Sequence, residues 1–203
     1  MGRFLTDLRS VIDFKISSLS GGAKNNAIPR DADAIILIKE NDKTMVNEKI
    51  AQWNSIFKDE LGTIDPDVNL IIEILKDKVS KTFSDKTTTK ALQILTLIPN
   101  GVKNMSMAIE GLVRSSTNIG VLTTSDKNII FDSAIRSSVK SLKKVICDET
   151  IVLAEVVGAT IKFESEYPEW QYNPDSKIRK VFEKVYNNLF GKMPEIAAIH
   201  AGL

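Results

Sequence analysis

Apolar residues at helical spacing open the chain. Phe4, Leu5, Leu8, Val11 and Ile12 fall on one stripe, which predicts an amphipathic helix beginning without a capping residue ahead of it. Residues 14–19 read as a strand ending in the turn Gly21-Gly22, and Ile35, Ile36, Leu37 and Ile38 within 32–39 suit a short buried strand. Asn47 is placed to cap a helix reaching Leu61, with Ile50, Trp53, Phe57 and Leu61 on one stripe and Gly62 as its stop. Asp65-Pro66-Asp67 makes a turn, after which 68–75, carrying Ile71, Ile72 and Ile74, reads as another strand.

Ser84 or Asp85 then caps a helix to Ile98, closed by Pro99-Asn100-Gly101. Residues 112–123 and 128–137 form an antiparallel pair about the turn Ser125-Asp126-Lys127, and 138–157 a long helix ended by Gly158. In 160–166, Ile161 and Phe163 alternate with charged neighbours, the pattern of a half-exposed strand. The loop 167–174 is rich in aromatics and proline and marks a domain boundary. Beyond it, Asp175 or Ser176 starts the most regular helix, with Ile178, Val181, Phe182, Val185, Tyr186, Leu189 and Phe190 on its apolar face and Gly191 at its end. Residues 196–199 read as a last strand. The alternation predicts an α+β fold: a mostly antiparallel sheet with helices packed on one face, as in ferredoxin-like domains.

Composition narrows the class. The 203 residues, 43% of them hydrophobic, are enough for one good core. Lys+Arg 27 against Asp+Glu 26 leaves a net charge of +1, which gives no electrostatic reason to expect a nucleic acid or an anionic membrane as partner. No apolar run approaches the ~20 residues that span a bilayer. The single cysteine, Cys147, allows no internal disulfide and fits a reducing cytoplasm. The uncapped first helix and the apolar run 195–203 both read as interrupted, so the expectation is a piece of a larger protein.

Few residues offer chemistry. His200 is the only histidine, too few for an imidazole-built zinc site or a serine triad with a spare base, and reads most simply as the end of a strand. Cys147 sits between Ile146 and charged neighbours in a helix, where a small buried hydrophobe is the default. The pairs Asp31/Asp33 and Glu164/Glu166 share strand faces but lack clustered partners, and Lys140, Lys143 and Lys144 read as an exposed helix face. Gly21-Gly22 lacks the Gly-Lys-Ser/Thr ending of a phosphate loop. Asn26 and Arg136 differ in kind. Pro29 follows Ile28, so the loop around Asn26 is held extended, and its amide can donate to a carbonyl and accept from an N–H. Asn26 by itself reads more often as a turn residue than as a ligand contact. Arg136 stands at a strand-to-helix junction, where a guanidinium can grip a carboxylate with two parallel bonds or serve a structural ion pair.

Several weak motifs recur in a fixed order: Gly21-Gly22 with Asn26-Ala27-Ile28-Pro29-Arg30, Pro99-Asn100-Gly101-Val102 with Met105-Ser106, and Gly111-Leu112-Val113 with Ser116 and Asn118-Ile119-Gly120. Ala134-Ile135-Arg136-Ser137-Ser138, Tyr167-Pro168, Pro174-Asp175-Ser176, Phe190-Gly191-Lys192 and residues 198–203 complete the series. Together they resemble the aminoacyl-histidine (Xaa-His) dipeptidases, the carnosine-cleaving branch of the two-metal aminopeptidase and carboxypeptidase superfamily. The resemblance implies a lid and dimerisation domain over 1–170, with 171–203 a helix and strand of the parent's catalytic domain. Asn26 would contact the scissile carbonyl or the dipeptide backbone, and Arg136 would hold the terminal carboxylate. His200 would lie near the substrate, in a segment whose following Glu is missing after Leu203.

The family's His-x-Asp motif, bridging Asp, Glu-Glu pair and C-terminal metal-binding His have no counterparts here. The His of its Gly-Gly-His-Ser-Gly segment is absent too. The resemblance therefore implies two divalent metals, zinc by the family's pattern, in the parent only. No metal ligand or catalytic residue is assigned to this chain, which is expected to bind no zinc and hydrolyse no dipeptide alone. The implied partners are a dipeptide reached through the parent, the catalytic domain of the same chain and a second copy in a homodimer, in the cytoplasm. The rival readings are a non-enzymatic α+β ligand-binding or dimerisation module and a superfamily member that has lost its metals and serves as a scaffold.

Overall fold

The stripe that opens the chain becomes the middle of the core. In the computed structural model, which describes residues 1–197, α1 (Gly2–Arg9) buries Phe4, Leu5 and Leu8. They meet Ile16 and Leu19 of β1 (Lys15–Gly21), Val46 and Trp53 of α2 (Lys43–Leu61), and Ala91 and Leu92 of α3 (Asp85–Leu97). Ala34 and Ile36 of β2 (Ala32–Leu37), Leu122 of β4 (Val113–Thr124), and Ile129 and Phe131 of β5 (Ile129–Ser137) close the same cluster from the sheet. Helix α4 (Lys140–Val157) packs against α3 and β5.

The sheet has five strands, and every pairing is antiparallel. β1 pairs with β2 across a bulge and touches β4 at Gly21↔Leu122. β4 is the organising strand. Its residues 115–117 pair with β3 (Gly101–Met105) and, at the same time, with β5. A strand has two edges, so β3 and β1 share one edge of β4 and β5 takes the other. The α+β class, the antiparallel sheet and the one-sided helical layer match the expectation.

Local chemistry explains where elements stop. Ser84 caps α3 by accepting from the Thr87 amide, and Ser176 caps α5 (Lys177–Phe190) by accepting from Arg179. Gly158 and Gly191 end α4 and α5 in the left-handed conformation that a Cβ would strain. Asn47 does not cap α2, which starts at Lys43 after a 3-10 turn over Glu40–Asp42. Two expected strands are corrected. Residues 68–75 form no strand, and Asn54 instead clamps Leu70, donating to its carbonyl at 2.9 Å and accepting from its amide at 2.6 Å. Residues 160–166 form none either; Ser165 turns the backbone to φ 55. Of the last expected strand, Ile196 and Ala197 are in no strand, and 198–203, with His200, lie outside the described residues.

Lys143 ties the returning chain to α4. Its ammonium donates to the carbonyl of Tyr167 at 3.2 Å and pairs with Glu169 and Glu166. These bonds, to Glu169 above all, hold the Lys143 pKa above its ordinary value. Helix α5, by contrast, has no buried residue: Ile178, Val181, Phe182, Val185, Leu189 and Phe190 are all exposed.

Ionic contacts join α1 to α2 through Arg3–Glu60 and Asp7–Lys49, the second of them partly buried. Asp7 accepts from the Trp53 indole at 2.8 Å and from Lys49 at 2.9 Å, on the same carboxylate oxygen. The indole bond first, then the Lys49 bond, hold its pKa below the ordinary 3.8. A depressed carboxylate stabilises the fold above its unfolded pKa and loses that contribution as pH falls through the folded value. The difference in stability between wild type and Asp7→Asn should therefore shrink as pH drops below about 4. Urea midpoints taken from neutral to acid pH check this; a constant difference would show that Asp7 contributes nothing through its charge.

Candidate functional site

The two residues singled out by the sequence lie on the side of the sheet away from the helices. Directly paired residues of antiparallel strands point to the same face, and successive residues alternate. The register Ser116↔Arg136 and Asn118↔Ala134 thus places Arg136 and Asn118 together on one face. Phe131 and Ile129, on the alternate face of β5, pack against the core. Asp132, two residues from Ala134, points with Arg136.

The loop that carries Asn26 covers this same face. Residues 22–31 leave β1 and return to β2, and the Gly22 amide donates to the Asp31 carbonyl at 3.2 Å to close the neck. Asn118 donates from its carboxamide to two loop carbonyls, Asn25 at 3.2 Å and Ala27 at 2.6 Å. Asn25 reaches Asp132 at 3.5 Å. Contact with β4 is closer than a side chain would allow: a Cβ on Gly120 would stand 2.3 Å from the Asn25 backbone, and one on Gly22 only 1.9 Å from the Gly120 oxygen. The Asn26 side chain is exposed at the loop tip.

Arg136 is half-buried on β5, three residues before α4 begins after Val139, so its strand-to-helix position is as expected. Among the described residues no carboxylate forms an ion pair with it. Of the two roles open to it, a structural ion pair has no partner within that part of the chain. Its pairing position lies two residues along the strands from Asn118, about 7 Å at strand rise. A guanidinium can grip a carboxylate with two bonds, and a side-chain amide can meet a carbonyl or an N–H.

The face is open. Two shallow grooves, of about 490 and 530 Å³, lie elsewhere, one lined from α1 and α3 and the other from the end of α3 and α4; neither borders Asn26 or Arg136. No group of three or more His, Cys, Asp or Glu side chains converges among the described residues. Cys147 is partly buried, and burial first of all pushes its thiol pKa up, away from nucleophilic character. Sequence reasoning gave Asn118 no role of its own. Its position inside a polar strand carries no local signal, and the register alone reveals it.

The whole chain has relatives. A family model described as a peptidase dimerisation domain matches residues 1–65. The cytosol non-specific dipeptidase of Escherichia coli is 30% identical over 202 residues, 99% of this chain and 41% of that protein. The crystal structure of aminoacylhistidine dipeptidase from Vibrio alginolyticus superposes with a TM-score of 0.89 at 32% identity, covering 100% of this chain and 41% of that one. The chain therefore spans about two fifths of the length of these relatives. No helix among the described residues is long and apolar enough to cross a membrane.

Proposed function

We propose, from the likeness of the whole chain to a cytosol non-specific dipeptidase and an aminoacylhistidine dipeptidase and the match of residues 1–65 to a peptidase dimerisation domain, that it is the substrate-covering lid of a metal-dependent dipeptidase. The observation that carries this reading is the single sheet face on which the Asn26 loop and Arg136 stand together. Two ligand-gripping groups on one sheet face need a second surface to enclose the ligand. The rest of the parent enzyme supplies that surface, together with the divalent metals and the groups that hold them.

In this reading Asn26 meets the scissile carbonyl or the peptide backbone, and Arg136 receives the terminal carboxylate. Closing the lid over the dipeptide excludes water and completes the recognition shell. His200 belongs to the catalytic side of the site. Residues 1–170 form the lid, pinned at its exit by Lys143, and 171–203 belong to the catalytic domain. The exposed apolar face of α5 supports that division, since an amphipathic helix is stable only when its stripe is covered. The description of the matching family supports a homodimer, and the name of the Escherichia coli relative supports a cytoplasmic setting.

The test uses the full-length enzyme. It should hydrolyse Xaa-His or similar dipeptides, lose activity to a chelator and regain it with a divalent metal. Asn26→Ala should lower kcat/KM about 10-fold while leaving metal content and dimer mass unchanged, the scale of one hydrogen bond to a developing charge. A full-length protein that dimerises yet hydrolyses no dipeptide with metal restored would establish the non-enzymatic module instead.

A further inference from the structure

Resting on the reading of Asn26 as a substrate contact, we infer that Asn118 is the positioning residue of this face. Its carboxamide chelates the carbonyls that flank Asn26 and so sets where the Asn26 side chain stands relative to Arg136. The two bonds, 3.2 Å to Asn25 and 2.6 Å to Ala27, use both hydrogens of one NH₂ group. The orientation of the amide is settled by chemistry, because both neighbours are acceptors and the opposite rotamer would set oxygen against two oxygens.

Position 118 is suited to this task for a further reason. It lies on β4, which is hydrogen-bonded on both edges and pairs through Asn118↔Ala134 with the strand that carries Arg136. The clamp therefore references the loop to the same rigid frame as the guanidinium. Gly120 lets the loop lie flush on that frame, and the Gly22 to Asp31 bond closes its neck. Without the carboxamide, the loop tip retains the Ala27 to Lys24 turn bond and the long Asn25 to Asp132 contact, neither of which fixes it to β4 as tightly. Misplacement of a contact group by about 1 Å is enough to cost activity.

Two measurements test the inference. The first is amide hydrogen exchange across 22–31 on this chain, for wild type, Asn118→Ala and the isosteric Asn118→Asp. Both variants should exchange about 10-fold faster in the loop, while the amides of β4 and β5 keep their protection. Unchanged loop exchange in both variants overturns the clamp. The second is kinetics in the full-length enzyme. Asn118→Ala should lower kcat/KM about 10-fold in the wild-type background and add almost nothing to Asn26→Ala, because it acts through Asn26. An equal loss in both backgrounds overturns positioning through Asn26. Faster loop exchange together with an inert Asn26→Ala would sustain the clamp and refute the substrate role proposed for Asn26, so the two failures are distinguishable.

Discussion

In the full-length enzyme, Arg136→Ala is expected to raise the Michaelis constant for dipeptides roughly 10- to 100-fold, the effect of losing ~1.5–3 kcal/mol of charged hydrogen bonding. The guanidinium sits on a rigid strand, half-buried, with no ion-pair partner among the described residues. Such a group has bonding capacity to spare, which is a condition for gripping a carboxylate with two bonds. Arg136→Lys should recover only part of the loss, because an ammonium cannot reproduce the planar fork. A dipeptide whose terminal carboxylate is replaced by a carboxamide gives the sharper control. It should be a poor substrate for the wild type and no poorer for Arg136→Ala. An unchanged constant for the ordinary dipeptide would remove Arg136 from the site, and an equal loss on both substrates would mean that it acts on something other than the carboxylate.

The second large effect concerns stability. Leu8 of α1 is 0% exposed and lies in the cluster that joins α1, β1, α2 and α3. Leu8→Ala should destabilise the chain by about 2–5 kcal/mol, combining the lost burial with the cavity left between elements that relax only in part. At this size that corresponds to a fall in Tm of about 2–4 °C for each kcal/mol. Val11→Ala, on the same sequence stripe but exposed in the structure, should cost far less. Equal losses in thermal denaturation would mean that α1 is only loosely attached, contrary to its burial.

The comparison of those two residues shows where sequence patterning succeeds. Period and punctuation located the helices well, because capping and left-handed termination are local chemistry. Ser84, Ser176, Gly158 and Gly191 each do what their residue type does at a helix end. Strands fared differently. Ile71, Ile72 and Ile74 suggested a strand, yet all three are exposed, and what holds the segment is the Asn54 clamp on Leu70. Apolar content makes a strand only when a free edge is available to pair with it. The reverse error occurred at β3, whose residues are all exposed and whose pattern gave no strand signal; pairing with β4 creates it.

The site divides along the same line. By itself the sequence determined the chemistry on offer: an amide in a proline-stiffened loop and a guanidinium at a strand end. These are properties of residue types and their immediate neighbours. Only the tertiary structure decided that Asn26 and Arg136, 110 positions apart in the chain, face the same side of one sheet and that Asn118 ties them to a common frame. That outcome depends on register, and register is set by long-range pairing and burial, where a shift of one residue would turn Arg136 to the opposite face.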